Sequence, residues 1–184
     1  MRKRSAIAIE RMGKETTACF SGYRPQKLPW GFDEECQACL RLKAELLEQI
    51  ALAYQRGYRN FLSGMAQGVD LYAAEAVLSF QDEHEDAALT CVLPYPTFCC
   101  HKPGPLRERY EALLLRSADV KVCSPEYHAG AMMARNVYMI DSSSLLIAVY
   151  DGAPGGTQNT VRYAKDRGLD LWLLQPGNHD IRKE

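Results

Sequence analysis

Four short segments of this chain carry residues able to hold an anion or move a proton: Ser21-Gly22-Tyr23-Arg24, the stretch from Gly64-Met65 to Gly68-Val69-Asp70, Pro94-Tyr95, and Asp151-Gly152-Ala153-Pro154-Gly155-Gly156-Thr157. The last is the most informative. Its glycines leave backbone N–H groups unobstructed, and Thr157 stands where it can cap a following helix. Unpaired N–H groups and the positive end of a helix dipole would then face the turn, an arrangement that binds phosphate on many unrelated folds. A tight strand-to-helix connection with no ligand fits the same residues equally well. Gly22 permits a turn and Pro25 keeps Arg24 out of the helical region, which presents a guanidinium suited to phosphate. An exposed loop arginine is the plainer alternative. Asp70 sits at a helix start, where a carboxylate caps N–H groups, and Arg135 lies on a helix further along.

These segments need elements to position them, and the hydrophobic pattern supplies those. Residues 145–150 form a continuous apolar run, expected of a parallel strand covered on both faces. Further strands are predicted at 16–20, 59–62, 88–93, 119–122 and 169–174. Asp33 is the expected N-cap of a long helix with a stripe through Cys36, Cys39, Leu40, Lys43, Leu46, Leu47, Ile50 and Tyr54, ended by Gly57. Helices also follow Asp70, cover 106–116 and 128–141, and follow Thr157. Strands alternating with helices predict an α/β fold, a mostly parallel sheet with helices on both faces. In such folds ligands sit beyond the carboxyl ends of the strands, so the four segments converge on one edge. The position of Arg135 relative to that edge stays open.

Length and composition bound the rest. The chain has 184 residues, enough for one α/β core. The domain is placed at 16–176, between a loose arm at 1–15 and a loose polar tail at 177–184. Twenty-two basic and 23 acidic residues leave a net charge of −1, so no footprint for nucleic acid stands out. No apolar run suits a bilayer span or a leader peptide, and a soluble, cytoplasmic protein is expected. Seven cysteines without a secretion signal read as reduced thiols. Cys36 and Cys39 are assigned to core packing rather than metal or redox use. Cys99, Cys100 and His101 are assigned to a surface loop, their role open. No metal is expected.

Taken together, SGYRP at 21–25, SGMAQGVDLYAAEAV at 63–77, ARNVYMID at 134–141 and YDGAPGGTQNTV at 150–161 resemble the YpsA-like branch of the SLOG superfamily. This Rossmann-like group also includes the DNA-processing protein DprA and the LOG phosphoribohydrolases. The resemblance runs from residue 18 to 175. It implies a bacterial protein with a pocket for a nucleotide or nucleotide-derived ligand, ADP-ribose-like or NAD-like, and YpsA-like proteins have been connected with cell division. By the same resemblance Gly155, Gly156 and Thr157 form the phosphate turn, while Gly68 and Asp70 match a turn whose acid holds ribose hydroxyls. Arg135 matches an arginine that works beside a glutamate in LOG enzymes. Asn159 and Thr160 occupy the positions of that glutamate.

The departure bears on mechanism, because glycosidic cleavage uses a carboxylate to stabilise an oxocarbenium-like state or to activate water. The first reading is therefore a non-catalytic binding module or sensor that needs no cofactor and reports its ligand to a protein partner. The second is a phosphoribohydrolase or related nucleotide hydrolase, in which Arg135 and Asp70 would be catalytic. The third, by analogy with DprA, is single-stranded DNA binding, disfavoured by the near-neutral charge. The family also brings the expectation of a homodimer.

Overall fold

A computed structural model describes residues 13–177 and the backbone of residues 181–183. The strands β1 (Thr17–Ser21), β2 (Asn60–Ser63), β3 (Ala88–Leu93), β4 (Asp119–Val122), β5 (Leu145–Val149), β6 (Asp170–Leu174) and β7 (Ile181–Lys183) form one sheet in the order β4-β3-β2-β1-β5-β6-β7. The first six are parallel and β7 runs antiparallel to β6. Five helices connect them: α1 (Gln37–Gln55), α2 (Val69–Gln81), α3 (Gly104–Arg116), α4 (Ala131–Asp141) and α5 (Gly156–Asp166).

Strand alternation sorts the core into two layers. Ala18, Phe20, Leu145, Ile147 and Val149 pack with residues of α1, α2 and α3 on one face. Cys19, Leu146 and Ala148 pack with Met139 and Ile140 of α4 and with Val161 and Ala164 of α5 on the other. Every residue of β5 is buried, as its unbroken apolar run predicts. The chain is a single Rossmann-like α/β domain.

Three expectations are corrected. Helix α1 starts four residues after Asp33, because the Asp33 carboxylate accepts the Glu35 N–H at 3.2 Å in a local turn instead. Cys36 is the N-cap, its Sγ accepting the Cys39 N–H at 3.4 Å, and Cys39 is buried in the core. The buried stripe of α1 runs through Cys39, Leu42, Leu46, Ile50 and Ala53, which turns Leu40 and Leu47 outward. Lys43, the misfit of the expected stripe, lays its stem along the surface and pairs with Glu34 at 2.8 Å, with its ammonium 4.9 Å from the centre of the Tyr72 ring.

The expected loose tail instead contributes β7, which pairs Trp172 with Lys183 and Leu174 with Ile181. Of the expected arm, residues 1–12 lie outside the described residues, and a short 3-10 turn, Lys14–Thr16, leads into β1. In the loop after β3, Cys99 is buried against the core rather than on the surface, while Cys100 is exposed. Among the described residues no helix is long and apolar enough to cross a membrane, and no group of His, Cys, Asp or Glu is arranged to hold a metal ion.

Candidate functional site

Strands β1 and β5 are hydrogen-bonded neighbours, yet the helices that follow them, α1 and α5, go to opposite faces. That divergence opens a crevice at the strands' carboxyl ends, the place where ligands bind in this class of sheet. The crevice here is a cavity of about 320 Å³. Ser21, Gly22, Tyr23 and Arg24 line it from the turn after β1; Asp70 comes from α2, Arg135 from α4, and Gly156 and Thr157 from the first turn of α5. The location of Arg135, open in the sequence, is thus at this edge.

The remaining expected residues are placed differently. Gly68 abuts the wall from behind: its φ is +99°, and a Cβ there would stand 2.5 Å from the Tyr23 carbonyl oxygen. The Val69 N–H donates to that same carbonyl at 3.2 Å, so the turns after β1 and β2 lock together. A side chain on Gly22 would overlap Val69. Met65 is fully buried at φ 58°, a left-handed conformation uncommon outside glycine. Pro94 and Tyr95 do not line the cavity; Tyr95 packs edge-on against Phe98 and Tyr127. Strand β3, which they follow, is separated from β1 by β2. Gly64, Asp151 and Gly155 act from outside the lining.

Arg135 and Asp70 form a buried pair at the cavity wall, Nη1 to Oδ2 at 3.3 Å, with 5 % and 8 % of their side chains exposed. Arg135 also donates to the Gly64 carbonyl, and the Ala66 N–H donates to Asp70 at 3.2 Å. The Arg135 Nε has no hydrogen-bond partner among the described residues. Burial pushes the Asp70 carboxyl above its ordinary range, opposed chiefly by the Arg135 charge. Burial equally lowers Arg135, but a guanidinium stays protonated at any physiological pH. Gly64 makes room for the pair: a Cβ there would overlap the guanidinium and stand 2.8 Å from the Asp70 carboxylate.

The turn after β5 is built to stay open. Gly155, at φ +148°, is the N-cap of α5 and no side chain caps the helix; Thr157, expected in that role, is buried in the first turn. Gly155 replaces it because a side chain there would meet the Lys27 ammonium, which reaches across to donate to the Pro154 carbonyl at 2.8 Å. Tyr23 donates its hydroxyl to Asp151, whose carboxylate also accepts the Ala153 N–H at 2.9 Å. The Tyr23 bond holds Asp151 below its usual range, while burial and Asp151 push the Tyr23 phenol up to about 12.

Of Asn159 and Thr160, which the resemblance set against the LOG glutamate, Thr160 accepts a bond from the Asn136 amide at 3.1 Å and donates to the Gly156 carbonyl at 3.0 Å. Asp70 is the sole carboxylate of the described lining. Sequence reading missed Phe20, Gln26, Lys27, Ala66, Met132 and Asn136. Lys27 ends the 3-10 turn Pro25–Lys27 that Pro25 starts, which brings it back beside Arg24. Its spacing from that proline was a usable signal.

Comparison with known proteins follows the same outline. The family model YpsA, described as "YspA SLOG family", matches residues 18–175. The uncharacterized SPbeta prophage-derived protein YoqJ of Bacillus subtilis is 47% identical over 153 residues, covering 74% of this chain and 89% of that protein. The UPF0398 protein YpsA of the same organism is 25% identical over 139 residues, 74% of this chain and 77% of its own length. Among solved structures, DNA processing protein A of Helicobacter pylori superposes with a TM-score of 0.62 at 15% identity, covering 92% of this chain and 68% of that one. Its Streptococcus pneumoniae counterpart gives 0.57, also at 15%, over 88% and 51%. At such identity these two bear on the fold alone. With the family model spanning both glycine turns and the helices that carry Asp70 and Arg135, the chain belongs to the YpsA family of SLOG proteins.

Proposed function

We propose that the crevice between β1 and β5 binds a nucleotide or nucleotide-derived ligand, ADP-ribose-like or NAD-like, through its phosphate, and that the chain is a binding module or sensor rather than a hydrolase. The observation that carries this reading is the uncapped first turn of α5 facing a cavity lined by Arg24 and Lys27. Helix N–H groups and two cations on one wall suit a phosphate. The cavity volume of about 320 Å³ falls at the lower end of small-molecule sites, roughly 300–1,000 Å³. Against hydrolysis, the lining carboxylate is occupied: Asp70 is tied to Arg135 and to the Ala66 N–H, and Asp151 to Tyr23 and Ala153.

Isothermal titration calorimetry with ADP-ribose, NAD and nucleoside phosphates tests the proposal. Heat is expected with at least one of them, with affinity reduced about tenfold or more by Arg24→Ala, since a charge-assisted bond contributes about 1.5–3 kcal/mol. No heat from any of them sinks it. Release of free base from a nucleoside monophosphate would favour the hydrolase instead. A second reading has its own motivation: the Helicobacter pylori protein that shares this fold is described by its single-stranded DNA binding mode. Salt-dependent anisotropy changes with a labelled oligonucleotide, insensitive to Arg24→Ala, would favour that reading.

A further inference from the structure

Strand β4 borders the sheet, paired on one side with β3 and, among the described residues, bare on the other. All four of its residues, and Ala118 before it, are exposed. Three of the exposed large apolar side chains fall within this short part of the chain: Leu115 at 81 %, Val120 at 40 % and Val122 at 38 %. A bare edge with apolar side chains is a template for pairing with another strand, and soluble proteins usually protect such edges.

The backbone fixes what can pair. Cys123 donates its N–H to the Leu93 carbonyl of β3 at 2.9 Å, in phase with the pairing of Val122 with Leu93, so by strand alternation residues 119, 121 and 123 bond inward. Val120 and Val122 then direct their N–H and C=O groups to the free edge. The Asp119 and Lys121 side chains share the α4 face of the sheet, where the Lys121 ammonium lies 5.5 Å from the Tyr138 ring centre, while the Val120 and Val122 side chains lie on the α3 face opposite Cys91 and Leu93 in register.

We propose that two copies of this chain join through β4, antiparallel about a two-fold axis at Val120, extending the sheet across the pair. A two-fold axis normal to the sheet preserves its faces, so it must pass through a residue position. Centring it on Lys121 would set two like charges opposite each other, which is destabilising. Centring it on Val120 sets Asp119 opposite the partner's Lys121 and Lys121 opposite the partner's Asp119. Val120 has outward backbone groups, so it and its copy exchange two N–H···O=C bonds, and the charged pairs fall at the closer, non-hydrogen-bonded positions. Val120 meets its own copy and Ala118 meets Val122 on the other face. The lysine that would guard a lone edge thereby gains a counter-ion in this register alone.

Sedimentation equilibrium of the full chain from about 1 μM to about 500 μM tests this, covering the affinities expected of a small interface. A reversible monomer–dimer equilibrium is expected. Asp119→Lys and Lys121→Asp each turn two attractive pairs into repulsive ones and should weaken it about tenfold. Mixing the two single variants should restore association as a heterodimer, and the double exchange should restore the homodimer. In the unaltered chain, exchange of the Val120 amide should slow with rising concentration, a readout that needs no substitution. A monomer throughout, or a dimer indifferent to both exchanges, overturns the proposal.

Discussion

Two turns of this molecule share one sequence pattern, glycines between a strand end and a helix start, and the structure uses them in opposite ways. After β2 the space is filled: Gly64 and Gly68 have no side chain because the Arg135 guanidinium, the Asp70 carboxylate and the Tyr23 backbone already occupy that volume. After β5 the space is open beside Gly152 and Gly156, where a Cβ would meet nothing within 4 Å, and only the end of the Lys27 side chain comes close to Gly155. The first turn anchors a buried ion pair at the wall, and the second leaves helix N–H groups facing a cavity. A glycine turn is therefore not a binding site by itself; what fills the volume beside it decides.

The sharpest way to break this comparison is Gly64→Ala. The added methyl cannot coexist with the Arg135 guanidinium, so the pair must separate inside the protein, and uncompensated buried charge is costly. We expect a loss of about 3 kcal/mol or more in urea-denaturation free energy. Arg135→Met reaches the same pair from the other side. It leaves Asp70 buried without its cation and should cost about 3–5 kcal/mol. A near-wild-type midpoint for both variants would mean that the filled turn is not held by this pair.

The pair also leaves a signature in pH. Burial raises the Asp70 carboxyl in the folded state. The stability associated with this group is then fully present below the ordinary carboxylate range and is lost as pH rises through the raised value. Asp70→Asn removes that titration. The stability difference between wild type and variant should accordingly shrink as pH increases across this window, measured by urea midpoints at a series of pH values. A difference that grows with pH would show that Arg135 outweighs burial.

Much of this was legible in the sequence, and the lapses have physical reasons. The apolar run of β5 and the alternation of strands with helices gave the parallel sheet, because covered strands cannot alternate polar with apolar residues. The convergence of Arg24, Asp70 and Gly156 followed from the rule for strand ends, which left the place of Arg135 open. Tyr95 was misplaced because that rule names an edge, whereas the crevice occupies only the point where α1 and α5 diverge. Cys36 displaced Asp33 as the cap because Asp33 was already engaged by Glu35. Lys27 was overlooked because Pro25 signals only the turn that carries it, while its reach to Pro154 joins residues 127 positions apart.

Smaller effects sharpen the open turn. Tyr23→Phe removes the bond that ties Asp151 to the end of β1. Loss of one such bond at a partly exposed carboxylate should cost about 1 kcal/mol in thermal or urea stability. The variant should also lack the tyrosine that resists ionisation up to about pH 12, visible as one fewer late-titrating phenolate in ultraviolet titration.

The smallest stability change is expected from Gly156→Ala, and it bears most directly on the contrast. Gly156 is the first residue of α5, its φ is not among the positive values, and a methyl there meets no atom within 4 Å. Alanine limits the unfolded chain more than glycine does and suits a helix better, so stability should hold or rise by up to about 1 kcal/mol. The same methyl borders the cavity, at the helix turn we propose for phosphate, where close approach to the backbone matters. The expected result is therefore a stable protein with weakened nucleotide binding, read by denaturation and calorimetry on one preparation. Destabilisation comparable to that of Gly64→Ala would make the second turn as filled as the first, and the cavity would lose its open wall.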